Sequence, residues 1–126
     1  MNQTNIRNRQ VIHSDWLRAL DFYKGEIDIL RKRLTEIAAR NNGDDVSRSI
    51  EQFENRFALH RDNIDYLEHD IRENAIAIGK DAAGHNGYTD TKLFETSDEL
   101  KGRFITEEKL VNELRHAFNL FCIEWM

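Results

Sequence analysis

Between Val46 and Ile78 the chain places Val46, Ile50, Phe53, Phe57, His60, Ile64, Leu67, Ile71, Asn74 and Ile78 at alternating steps of four and three. A strand, with its period of two, cannot carry that spacing. A helix wound to 3.5 residues per turn collects all these side chains on one narrow stripe, and a stripe so apolar must be covered by partner helices. Only His60 and Asn74 interrupt it. The chain contains no proline, the residue that breaks helix interiors, so long uninterrupted helices are permitted.

A second stripe precedes it. His13, Trp16, Leu20, Tyr23, Ile27, Leu30, Leu34 and Ile37 follow the same alternation and predict helix 1 over about 8–40. Met1 to Asn8 lacks apolar rhythm and is expected to fray. At Asn41, Asn42 and Gly43 the pattern stops. Gly43 is expected to close helix 1 in the left-handed conformation and Asp44 to cap helix 2, which spans about 45–82. A connection this short forces an antiparallel hairpin.

Charge supports the hairpin independently. Up to Arg40 there are eight Lys and Arg against five acids, a net of +3, whereas Asp44 to Asp81 has ten acids against five bases, a net of −5. Folding at Gly43 sets Arg31, Lys32 and Arg33 level with Glu51 and Glu54. Exposed pairs contribute only about 0.2 to 1 kcal/mol each, yet they select register.

Glycines at 79, 84 and 87, with Asn86 and Asp90, mark a loop over about 83–91. The spacing matches no phosphate-binding loop, so His85 and Tyr88 read as surface residues. Helix 3 is expected over about 92–125, with Leu93, Leu100, Phe104, Val111, Leu114, Phe118, Phe121 and Trp125 on its stripe and Ser97 and Glu107 as polar exceptions. Thr96 and Glu99 have capping-box spacing, so the helix starts at Asp90 and bends, or starts only near Ser97. The fold class that follows is all-α, a single domain over 1–126. It is an elongated, antiparallel up-down-up three-helix bundle with coiled-coil-like heptad packing.

The polar residues on these stripes fall into two layers: His13, Asn74 and Ser97 towards one end, and Tyr23, His60 and Glu107 in the middle. Their structural role is to satisfy one another and fix register. The alternative is a site for a metal or small ligand inside the bundle. Di-metal bundles need several inward His and carboxylate side chains. Here Glu113 with His116, and His69 with Glu73, have ligand spacing but fall on outward faces. No metal and no cofactor is therefore expected.

Catalysis has no better footing. Cys122 and His116 lie on different faces of one helix, and His13, Ser14 and Asp15 are neighbours that point apart. The chain is expected not to be an enzyme. A net charge of −5 argues against nucleic acid, and the acidic balance without a basic flank argues against docking on membranes through the C-terminal aromatics. The polar start has no signal-peptide core, and one cysteine fits a reducing compartment, so the expected location is cytoplasmic.

Interaction remains. Phe22 and Ile29 share a face of helix 1 that a simple seam leaves wet, while Leu120, Ile123 and Trp125 form an apolar end on helix 3. Contiguous exposed apolar surface marks binding sites. The expected function is a non-enzymatic interaction, adaptor or scaffold module that meets a protein partner or itself, with a homodimer the economical form.

Overall fold

The computed structural model describes the backbone over residues 3–84 and 90–125 and side chains from Ile6 onward. Its described residues form three long helices, α1 (Gln3–Arg40), α2 (Asp44–Gly84) and α3 (Thr91–Trp125), and no strand. Each packs on the other two, as in a helical bundle. At about 1.5 Å per residue they are rods of roughly 50 to 60 Å. The part of the expected loop that holds His85 and Tyr88 lies outside the described residues.

Every α2 stripe position is buried except Ile50, which is half-buried. Facing it are Trp16, Leu20, Ile27, Leu30, Leu34 and Ile37 of α1 and Leu100, Phe104, Val111, Leu114, Phe118 and Phe121 of α3. Aromatic rings concentrate where α2 meets the end of α3. Phe118 lies 5.3 Å from both Phe53 and Phe57 in edge-on geometry, and Phe121 closes the group at 5.1 Å from Phe53. Offset and edge contacts of this kind add to area burial because the ring edge meets a negatively polarised face.

α1 begins at Gln3, not near Asn8. Ile6 is buried against Ile78, Ala82 and Phe94 in a small second cluster, which anchors the turn expected to fray. The signal was present, since Ile6 lies seven residues before His13. It was obscured because Arg9 takes the intervening seam position. The guanidinium of Arg9 stands 4.4 Å over the Phe94 ring and its Nη1 donates to Asp98 at 2.8 Å, so its stem packs while its charge is matched.

The helix ends also differ in detail. Gly43 is not left-handed. Its carbonyl accepts the first helical bond of α2, from Ser47 at 3.0 Å, which makes Gly43 the capping residue and puts Asp44 and Asp45 in the first turn, where the helix dipole favours them. Asn41 instead closes α1, donating to the Ile37 carbonyl at 2.9 Å. α3 runs without interruption from Thr91. Asp90 caps it, accepting from the Lys92 amide at 2.8 Å, and Thr96 bonds back to the Lys92 carbonyl, so the Thr96/Glu99 start is not used. Phe94 takes the deep position expected of Leu93, which is half-buried.

Candidate functional site

The interior has two buried polar layers. In the middle of the bundle, His60 of α2 donates from Nδ1 to Glu107 Oε1 of α3 at 2.7 Å. Both side chains are about nine-tenths buried. Each occupies a stripe position flanked by apolar neighbours, Phe57 and Ile64 on α2 and Phe104 and Val111 on α3, so neither has another buried partner of its own helix to turn to. Glu107 also lines an open groove of about 870 Å³ between α2 and α3, with Tyr66 and Leu110.

Tyr23, expected in this layer, is not part of it. Its hydroxyl donates to Glu108 at 2.7 Å, on the α1/α3 side. Burial, then the Glu108 hydrogen bond and charge, push its pKa up to about 12. One residue of difference along α3 accounts for this. Glu107 lies on the stripe facing the interior, while Glu108 lies beside it, towards α1, where Arg115 also donates to Glu26 at 2.8 Å.

The second layer separates the two apolar clusters. On α1 it falls between Ile6 and Trp16, on α2 between Ile71 and Ile78, and on α3 between Phe94 and Leu100. His13 Nε2 and Ser97 Oγ are 3.1 Å apart and both residues are 2 % exposed. Asn74 does not join them directly. Its Nδ2 donates to the Leu93 carbonyl at 3.1 Å, one turn before Ser97. Two buried atoms, His13 Nδ1 and Asn74 Oδ1, have no partner.

Burial, with the charge of Arg9 second, lowers the His13 pKa from 6.5. The unfolded chain therefore binds more protons than the folded one between 6.5 and that lower value, and stability falls as pH drops through this interval. The effect is expected to vanish in His13→Gln. Urea midpoints at about pH 7.5 and about pH 5.5 measure it, and an equal fall in both proteins would remove His13 as the cause.

A further buried charge lay outside the stripe. Glu68, 2 % exposed, follows Leu67 directly and accepts from Lys24 Nζ at 3.1 Å, while Arg72 Nη2 lies 3.5 Å away. Burial raises its pKa more than Lys24 lowers it, and nearby Asp21 adds to the rise. For Lys24 burial opposes the charge, but hydrogen bonds to Asp65 and Glu68 prevail and hold its pKa above the ordinary value. The flanking position of Glu68 beside the seam, opposite the basic helix 1, was the available signal.

Outward-facing candidates stay outward. His69, Glu73, Glu113 and His116 are exposed, as are Ser14 and Asp15. Cys122 is half-buried and free, its pKa raised by burial against the lowering influence of Arg33. Among the described residues no three His, Cys, Asp or Glu side chains are grouped to hold a metal ion. No helix of the described residues is long and apolar enough to cross a membrane.

Of the candidate interface residues, Phe22 and Ile29 are each 60 % exposed, Leu120 55 % and Ile123 79 %. Trp125 is different. It is half-buried against the main core, and Asn41 Nδ2 donates to its carbonyl at 3.4 Å. No protein family, curated protein or solved structure matches the chain. Leu59 and Tyr66, seven residues apart on α2 and off its buried stripe, are also more than half exposed.

Proposed function

We propose that this chain is a non-enzymatic interaction module, an up-down-up coiled-coil bundle that associates with a second copy of itself through apolar residues on its outer faces. The antiparallel α1/α2 hairpin is supported by Arg31 Nη2 to Glu54 at 3.1 Å, Lys24 to Asp65 at 3.0 Å and Arg61 to Asp28 at 3.2 Å, pairs whose numbers rise on one helix as they fall on the other. Between α1 and α3 the order runs the same way: Arg9 and His13 meet Asp98 and Ser97 near the start of α3, Glu26 meets Arg115, and Asn41 meets Trp125 near its end. In a heptad frame the α1/α2 ion pairs sit beside the seam, where coiled coils place the pairs that set orientation.

The observation that carries the functional reading is the exposure of Phe22, Ile29, Leu120 and Ile123. Single exposed apolar residues are ordinary, but Ile29, Leu120 and Ile123 lie in the same half of the rod, since Glu26 is level with Arg115 and Asn41 with Trp125, and Phe22 stands near its middle.

Replacing Phe22 and Ile29 with asparagine is expected to abolish concentration-dependent association in light scattering while leaving thermal unfolding within about 0.5 kcal/mol of the parent, as surface substitutions do. Leu120→Asn with Ile123→Asn should act alike. Association that survives both pairs would place the contact elsewhere.

A further inference from the structure

Beside the α1/α2 seam three carboxylates converge on one ammonium. Lys24 Nζ stands 3.0 Å from Asp65, 3.1 Å from Glu68 and 3.8 Å from Asp21, and Arg72 adds a looser contact to Glu68 at 3.5 Å. Asp21 and Asp65 are more than half exposed, so water screens them, but the side chain of Glu68 is only 3 % exposed. A negative charge placed there needs full matching.

It does not receive it. Oε2 of Glu68 takes both cations, whereas Oε1 is buried and has no partner. The polar neighbour left for Oε1 is Asp21, three residues before Lys24 on α1 and within hydrogen-bonding reach of Glu68, but an ionised carboxylate only accepts. One proton resolves the conflict. On Oε1 it makes the orphaned atom a donor to the Asp21 carboxylate, and it removes the negative charge from the interior while leaving one in water.

The charged groups around Glu68 come from α1, as Asp21 and Lys24, and from α2 itself, as Asp65 and Arg72. Contacts of α3 with α2 run elsewhere, through Arg103 to Asp70 and Glu107 to His60. We propose that Asp21 and Glu68 share one proton across the α1/α2 hairpin, taken from solvent by way of the exposed Asp21, so that acidification tightens this contact. The latch is independent of the self-association above. Its sign follows from linkage. Burial, then Asp21, raises the Glu68 pKa from 4.5 against the pull of Lys24, so the folded chain holds more protons than the unfolded one between 4.5 and that raised value. Stability contributed by Glu68 therefore rises as pH falls through the interval and is lost as pH climbs back through it. His13 acts in the opposite sense, and comparison of variants at each pH separates the two.

Two measurements on the full chain test it. Carbon NMR of the side-chain carboxyls should show Glu68 titrating above 4.5, with the midpoint falling in Asp21→Asn, a change at an exposed position. Glu68→Gln copies the protonated acid, because its amide oxygen accepts from Lys24 and its amide N–H donates to Asp21. Its urea midpoint is expected to exceed the parent's at about pH 7, the difference shrinking as pH falls and the parent takes up its own proton. Three results would overturn the proposal: a Glu68 carboxyl that titrates at or below 4.5, which would mean that its charge is matched after all; a Glu68 midpoint unmoved in Asp21→Asn, which would mean that burial alone holds the proton; or Glu68→Gln less stable than the parent at about pH 7, which would make the ion pair with Lys24 the dominant contact.

Discussion

Replacing Phe57 with alanine is expected to destabilise the protein by about 3 to 5 kcal/mol, the range for emptying a buried phenylalanine site. The ring is fully buried and touches Phe53 and Phe118. Two terms add. The lost ring forfeits its transfer free energy, and the space left cannot collapse easily because Phe53, Phe118 and Phe121 brace one another from two helices. Against a total stability of about 5 to 15 kcal/mol, that loss takes roughly a fifth of the margin or more. Thermal unfolding by circular dichroism should record a fall of at least about 10 °C. Phe118→Ala should match it, whereas a midpoint within a degree or two of the parent would mean that the stripe does not face the core.

Removing one member of the His60–Glu107 pair should be nearly as damaging. Glu107→Ala leaves the His60 Nδ1–H buried without its acceptor, and His60→Ala leaves a buried carboxylate without its donor. Breaking a buried pair in this way costs about 3 to 5 kcal/mol, whereas replacing both partners with apolar side chains of similar size is neutral or stabilising. The double variant His60→Leu/Glu107→Met is therefore expected to unfold at or above the parent's urea midpoint although either single change lowers it. Such a result would identify the pair as a device that fixes register between α2 and α3 at no gain in stability. If the double variant were as unstable as the singles, the two side chains would be contributing packing and not mutual satisfaction. Activity assays are not needed to read this out.

Helix positions were legible in the sequence because burial follows period. Each stripe residue from Val46 to Ile78 carries its own phase information, and one substitution out of step would have been visible. What failed did so where a polar side chain stood in for an apolar one. Arg9 occupies a seam position and hid the first turn of α1, and its role over Phe94 depends on a partner 85 residues away. Asn41, and not Gly43, closes α1 because an amide side chain can reach back to a free carbonyl without any special backbone angle.

The polar layers were legible in kind and only partly in pairing. His13, His60, Asn74, Ser97 and Glu107 are all buried, as their stripe positions require. Who bonds to whom depends on rotation by a fraction of a turn. That is why Tyr23 reaches Glu108 and not Glu107, and why Asn74 reaches a backbone carbonyl in place of His13 or Ser97. Glu68 escaped because a carboxylate beside the seam looks solvated in a one-dimensional pattern. Its burial follows from the opposing lysine, which the pattern of α2 alone does not contain.

The most direct test of the self-association account is sedimentation equilibrium of the unmodified protein over a hundredfold range of concentration. The account predicts an apparent mass that climbs from the 14.9 kDa of one chain towards twice that value, and that stays at one chain when Phe22 and Ile29 are asparagine. A mass fixed at 14.9 kDa at every concentration would contradict it.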